Sequence, residues 1–342
     1  MSRYLGVDLH RNCFTVCTRL ENGRQYLSSY PLDALAKFVS KLRAQDEVAV
    51  EMTGNTRLFY DAVLPRVARV VVVNPSQFHV IRKSVKKTDE HDARALALFL
   101  SKDMLPEVRM KDAQHAEMAS LVQTRDTLVK SRTALKNKVN NLLSARGINL
   151  NKESLASEKG LREVLGMYFD SAVDVELRIL VDQIRSLNQS IAAIEKTIAE
   201  HGPKVPGYAN LKSIKGIGDV GASVLLSVIG DVNDFADEGK LAAYFGIVPR
   251  VSNSNETQHS GRITKRGSKL GRTVLIQCAL IAKRYSAYLR RHYEQVKARR
   301  GTGKAIVALA RKFLGIIYRT LKDDLIWEDF PNGVIREAED RT

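Results

Sequence analysis

Alternation of apolar and polar positions dominates the first part of the chain. Residues 3–9, RYLGVDL, read as a strand that brings Asp8 to its end, and 13–20 alternate as a second strand. Glu21, Asn22, Gly23 and Arg24 supply a turn, and 25–30 a third strand. The apolar period then lengthens to that of an amphipathic helix over 32–43. Residues 47–51, EVAVE, form a short buried strand that ends on Glu51. Thr53, Gly54 and Asn55 lead into a helix to about 67, and 69–73 are another apolar strand, closed by Asn74-Pro75. Three antiparallel strands followed by alternating helices and strands predict an α/β sheet of the ribonuclease-H type.

From Asp112 the period is helical throughout. Met118, Leu121, Leu128, Leu135, Val139 and Leu142 fall near heptad spacing on one long helix to about Ala145, ended by Arg146-Gly147. Arg125 and Arg132 interrupt that stripe, and Lys130, Lys136 and Lys138 lie on other faces. Leu177, Leu180, Ile184, Leu187, Ile191, Ile194 and Ile198 then alternate steps of three and four, a coiled-coil signature. The two helices pair as an antiparallel hairpin or with other chains; the pattern leaves both open. His201-Gly202-Pro203 and Pro206-Gly207 mark a boundary. Beyond it, KSIKGIG before the apolar 219–229 has the form of a helix-hairpin-helix, whose Lys215, Gly216 and Gly218 suit a phosphate at a helix N-terminus or a plain tight turn. The polar 250–261 is expected as a loop, followed by apolar helices at 273–283 and 303–321 joined by the basic 290–304. The predicted divisions are 1–111, a coiled-coil segment 112–202, a small helical C-terminal domain 203–330 and a frayed tail 331–342.

Charge narrows the function. The 342 residues carry 54 Lys and Arg against 38 Asp and Glu, a net +16, while a hydrophobic share of 44% is ample for real cores. Such a balance points to a polyanion, most often nucleic acid. No run of 18 apolar residues and no signal-peptide pattern occurs, so a cytoplasmic location without membrane contact is expected. Three cysteines, Cys13, Cys17 and Cys278, form no disulfide framework or zinc set and are expected to be buried thiols.

Acidic residues supply the candidate chemistry. In KKTDEHDARALALF, Thr88 is a candidate N-cap, and Asp89 and Asp92 lie one helical turn apart on the same face, just past Lys86 and Lys87. An acidic first turn also complements the helix dipole on its own. Asp8 and Glu51 end strands of the same sheet, however, and strand ends converge on the edge where ligands bind. Four carboxylates from three elements match the oxygen ligand set of a Mg²⁺ site acting on a phosphodiester. The basic run Arg262, Lys265, Arg266, Lys269 and Arg272, with Gly261, Gly267 and Gly271 between, suits phosphate gripping, and Arg125 and Arg132 suit a nucleic-acid rail.

Several blocks carry a family resemblance. YLGVDLH, VAVEMTG, KKTDEHDARALA, KSIKGIGDVGASVLLSVIGDVNDF, KLAAYFGIVPR and GRITKRGSKLGR occur in order over nearly the whole chain. In these the chain resembles the DEDD transposases of bacterial insertion sequences, which include the pilin gene-inverting and bridge-RNA-guided recombinases. The resemblance implies a RuvC-like N-terminal nuclease fold, a coiled-coil insertion and a small helical transposase domain. It implies Asp8, Glu51, Asp89 and Asp92 as metal ligands. It also implies DNA strand exchange through a serine–DNA intermediate, serine-recombinase chemistry directed by a guide RNA encoded beside the gene. Counting from Pro249 puts the nucleophile at Ser254. Asn255 follows where the family usually has Gly, so Ser260, beside Gly261, and Ser252 are rivals.

A serine hydroxyl needs activation, and Mg²⁺ on the carboxylates would provide it. A phosphoserine link conserves bond energy, in keeping with the lack of a Walker-type loop. Strand exchange cuts four strands, so a homo-oligomer of two to four protomers on DNA and RNA is expected. The competing reading is a metal-dependent, structure-selective nuclease of junction-resolvase type, which needs the acids but not the serine; a covalent protein–DNA adduct separates the two.

Overall fold

In the computed structural model the described residues are 3–74, 78, 88–151, 154–169, 171–254 and 257–327, with backbone alone at 171 and 251–260. Lys86, Lys87 and the tail 331–342 lie outside them. The chain divides into two units, 1–110 and 111–342.

The first unit is built on a mixed five-stranded sheet. Strands β1 (Arg3–Leu9), β2 (Cys13–Leu20) and β3 (Gln25–Pro31) are antiparallel, while β4 (Glu47–Glu51) and β5 (Arg69–Val73) run parallel to β1, in the order β3-β2-β1-β4-β5. This α/β arrangement is consistent with a ribonuclease-H-like fold. The pattern-based strand bounds agree to within a residue, and β1, β4 and β5 each bury a clear apolar set: Leu5, Val7 and Leu9 in β1, Val48 and Val50 in β4, Val70 and Val72 in β5. Phe14, Phe38 and Phe59 close this core with ring centroids 5.2–6.0 Å apart.

The helix expected over 32–43 is shorter: a 3₁₀ turn, Leu32–Ala34, then α1 (Leu35–Val39). Buried Asp46 is the reason. Its carboxylate accepts from the Arg43 N–H at 2.8 Å and the Arg3 Nε at 2.8 Å, which draws the chain out of the helix and into β4. Helix α2 (Thr56–Val63) likewise gives way to a 3₁₀ turn, Leu64–Arg66, whose Pro65 has no N–H to continue the ladder. Helix α3 (Asp89–Leu100) begins at the expected cap, the Thr88 hydroxyl accepting from the His91 N–H.

Gly6 sets how close α3 lies to the sheet. A Cβ there would stand 2.2 Å from the Ala93 carbonyl oxygen and 2.3 Å from the Ala97 nitrogen. The helix backbone therefore rests directly on β1, and its acidic first turn is carried to the end of that strand.

In the second unit, α4 (Ala113–Ser144) and α6 (Ser171–His201) form an antiparallel hairpin, with α5 (Glu158–Leu165) between them in sequence. Val139 and Leu143 share one cluster with Leu177, Val181 and Ile184, and Met118 and Val122 share another with Ile198. Much of the heptad stripe thus packs within the chain, as the antiparallel hairpin that is one of the two pairings the sequence leaves open. Arg125 pairs with Glu195 at 2.6 Å, and Arg132 donates to Asn188 Oδ1 at 2.9 Å across the same hairpin.

Helices α7 (Tyr208–Ser213), α8 (Asp219–Ile229) and α9 (Glu238–Tyr244) follow. The expected loop at 250–261 is instead a β-hairpin of β6 (Pro249–Ser254) and β7 (Thr257–Ile263), with Ser254 paired to Thr257, Ser252 to His259 and Val251 to Ser260. A two-stranded ribbon needs only its backbone partners, so polar composition does not exclude it. Helices α10 (Lys269–Tyr285), α11 (Ala287–Arg300) and α12 (Thr302–Lys322) complete the unit; the basic connection at 290–304 is itself largely helix α11. Among the described residues no helix is long and apolar enough to cross a membrane. Cys17 and Cys278 are buried as expected; Cys13, at the first position of β2, is exposed.

Candidate active site

Asp8 lies on β1, opposite Thr15 of β2, with its side chain 8% exposed. Two residues on, past the strand end, comes His10. The Asn55 side-chain amide donates to the His10 and Arg11 carbonyl oxygens, both at 3.0 Å, and so fixes that turn. Asp89 opens α3, which Gly6 holds against β1. His10 Nε2 stands 3.2 Å from Asp8 Oδ2 and 3.2 Å from Asp89 Oδ1, and the three residues offer ligand atoms all within 4.8 Å of one another. His10 and Asp89 side chains are 47% and 55% exposed, so the cluster has one buried anchor and an open side. An extended polyanion can reach such a site without a pocket.

The electrostatics follow from this packing. Burial raises the pKa of Asp8; His10 pulls the other way, and Asp89 and Asp92 add to the rise. Burial opposes the charged imidazolium of His10, but Asp8 and Asp89 outweigh it and hold His10 above its ordinary value. Negative charge is crowded here beyond what one imidazole balances. Carboxylate oxygens with an imidazole nitrogen are a donor set that fits a divalent cation.

Asp8 and Asp89 are therefore brought together as the sequence predicted, and Asp92, one turn further along α3, is near enough to act on Asp8. Glu51 ends β4, one residue beyond the Val7–Val50 pairing, half-buried, but it is not one of the three cluster residues. His10 is not among the ligands that the acidic pattern of the sequence points to. The signal was the D-x-H spacing: alternate residues leaving a strand share a face.

The basic candidates divide. Arg262, Lys265, Arg266 and Lys269 are exposed, and Lys265 takes a left-handed backbone with φ 55°. Arg272 is not available in the same way, since its Nη1 donates to the carbonyls of Arg266 (2.7 Å), Phe245 (3.2 Å) and Gly267 (3.2 Å). Arg125 and Arg132, expected on a rail, are engaged inside the α4–α6 hairpin.

Lys215 is exposed, and Gly218 is an exposed N-cap to α8. Gly216 has φ 111°, and a Cβ there would lie 2.7 Å from the Ala282 nitrogen, so close packing on α10 accounts for this glycine. At the N-terminus of α8 stands the Asp219 carboxylate. It is bonded by Lys212 at 2.7 Å and by the Tyr208 hydroxyl, and these hold it below the usual carboxylate range. A phosphate at that helix end would meet a negative charge. The side chains of Ser252, Ser254 and Ser260 lie outside the described residues.

Comparison with known proteins places this geometry. A family model described as "Transposase", that of the DEDD group, matches residues 5–146, and one described as "Transposase IS116/IS110/IS902 family" matches 208–294. A probable family 20 transposase of Pseudomonas aeruginosa is 30% identical over 284 residues, covering 80% of this chain and 83% of the relative. The transposase for insertion sequence element IS1111A of Coxiella burnetii is 27% identical, with 93% and 89% covered. A pilin gene-inverting protein of Moraxella lacunata is 26% identical, with 94% and 96% covered.

The chain is a transposase, an enzyme that acts on DNA. It belongs to the IS110-type DEDD transposases of bacterial insertion sequences, a group whose matches here include pilin gene-inverting proteins. That membership corrects one expectation: as a class label, serine recombinase does not fit, because the family is defined by its carboxylates.

Proposed function

We propose that this transposase exchanges DNA strands at a divalent-metal centre at the C-terminal end of β1, with Ser254 as the attacking group and a guide RNA selecting the sites. The observation that carries the reading is the Asp8–His10–Asp89 cluster, assembled by seating α3 on Gly6. Asp8 and Asp89 would hold the cation, with Asp92 and Glu51 completing the acidic edge. Mg²⁺ bound there would supply Lewis-acid stabilisation of the charge that develops on the scissile phosphate.

The remaining chemistry falls to the chain. Ser254 Oγ attacks phosphorus and loses its proton, and the bond to the 3′ oxygen breaks. That oxygen leaves as a hydroxyl, so the serine carries the phosphodiester. A 3′ hydroxyl from the other duplex then reverses the step and releases the serine. Exposed Arg262, Lys265, Arg266 and Lys269 offset phosphate charge. Similarity to pilin gene-inverting proteins supports site-specific exchange, and the net charge of +16 supports a large nucleic-acid partner, DNA with RNA. Four cuts call for up to four protomers.

Asp8→Ala and Asp89→Ala each abolish exchange while circular dichroism stays native, and excess EDTA abolishes it in the wild type. Full activity under either condition overturns the metal centre. RNA sequencing of the purified complex tests guidance, and exchange at the correct sites after complete RNA removal contradicts it.

A further inference from the structure

One ring nitrogen of His10 is shared between two carboxylates. A charged N–H···O bond is about 2.7–2.9 Å long, and one Nε2–H points at one acceptor. Here Nε2 lies 3.2 Å from oxygens of two different residues, Asp8 and Asp89, favouring neither. Equal, longer separations are what donor atoms adopt around a shared ion. Ligands at about 2.1 Å in neighbouring octahedral positions are about 3.0 Å apart. The backbone of His10 is also held, through the Asn55 amide, as a ligand turn is.

We infer that His10 Nε2 is a nitrogen ligand of the divalent cation, joining Asp8 and Asp89, and that the site therefore holds Mn²⁺ more tightly than Mg²⁺. This rests on the proposed metal centre and adds a donor that an all-carboxylate reading lacks. Mg²⁺ prefers oxygen donors and water and gains little from imidazole, whereas Mn²⁺ accepts carboxylate and imidazole together. Asn55 acts as a positioning residue through the backbone of the turn.

The full chain is titrated with Mn²⁺ and, separately, with Mg²⁺ by calorimetry. The Mn²⁺-bound protein is examined by pulsed electron paramagnetic resonance for coupling to a directly bonded nitrogen. Wild type shows that coupling and His10→Ala loses it. Mn²⁺ affinity falls about tenfold or more in His10→Ala, while Mg²⁺ affinity changes by less than about threefold. Asn55→Ala keeps the coupling with a smaller loss of Mn²⁺ affinity. If wild type binds Mn²⁺ without nitrogen coupling, or His10→Ala binds it equally well or more tightly, His10 is no ligand and the inference is overturned with the carboxylate site intact. If wild type binds neither cation, the metal centre itself is overturned.

Discussion

Two glycines in this chain do the same mechanical job in different chemical surroundings. Gly6 lets α3 rest on β1, and Gly216 lets α10 rest on the turn before α8; in each case a Cβ would stand well inside van der Waals contact of helix backbone. At Gly6 the seated helix carries Asp89 and Asp92 to the buried Asp8. At Gly216, of the two readings that the sequence leaves open, a phosphate site or a tight turn, the observed packing on α10 and the Asp219 carboxylate at the helix end favour the turn. A glycine in a motif reports close approach, and the groups around it decide whether that approach builds a site or only packs a core.

Replacing either glycine has the largest expected effect. Gly6→Ala forces α3 off the sheet and costs about 3 kcal/mol or more, since backbone rather than a flexible side chain must move. Metal binding and exchange should both be lost, as read by calorimetry and by recombination assay. Gly216→Ala meets both backbone and a φ of 111°, and destabilises the second unit by about 1–3 kcal/mol. Below its lowered melting temperature, nucleic-acid affinity and its salt dependence should match wild type. A selective loss of affinity in a folded Gly216→Ala protein would restore the phosphate-binding role.

Arginines sharpen the same contrast at smaller scale. Arg272→Ala removes a guanidinium bonded to three carbonyls, so thermal melting should show a loss of about 1.5–3 kcal/mol with little change in the salt slope of nucleic-acid binding. Lys265→Ala and Arg266→Ala should do the reverse. Stability barely moves, and the log–log salt slope falls by about 0.7–0.9 for each phosphate contact removed. In the sequence these residues form one undifferentiated basic run.

That last point shows where legibility ended. Strands β1, β2, β4 and β5 were readable because each buries a regular apolar set, and Thr88 because cap chemistry is local. The length of α1 was not, since it depends on Asp46 meeting Arg3 from far along the chain. The β6–β7 ribbon was hidden by its polar composition. The heptad stripe of α6 was plain, but its partner was not, because apolar spacing does not name the surface that fills it. Asp8, Glu51, Asp89 and Asp92 are legible as a set of acids, whereas the D-x-H spacing of His10 gains meaning only once the fold brings it beside Asp89.

If the proposed attack by Ser254 needs the carboxylates, a protein–DNA adduct forms only while Asp8 is intact. Mass spectrometry of the protein after reaction with its DNA and nuclease digestion tests it most directly, comparing wild type with Asp8→Asn in the presence of divalent cation. The expected result is a nucleotide remnant on Ser254 in the wild type and none in Asp8→Asn. A remnant on Ser252 or Ser260, or cleaved DNA with no protein adduct at all, would contradict it, the latter result pointing to a metal-dependent nuclease.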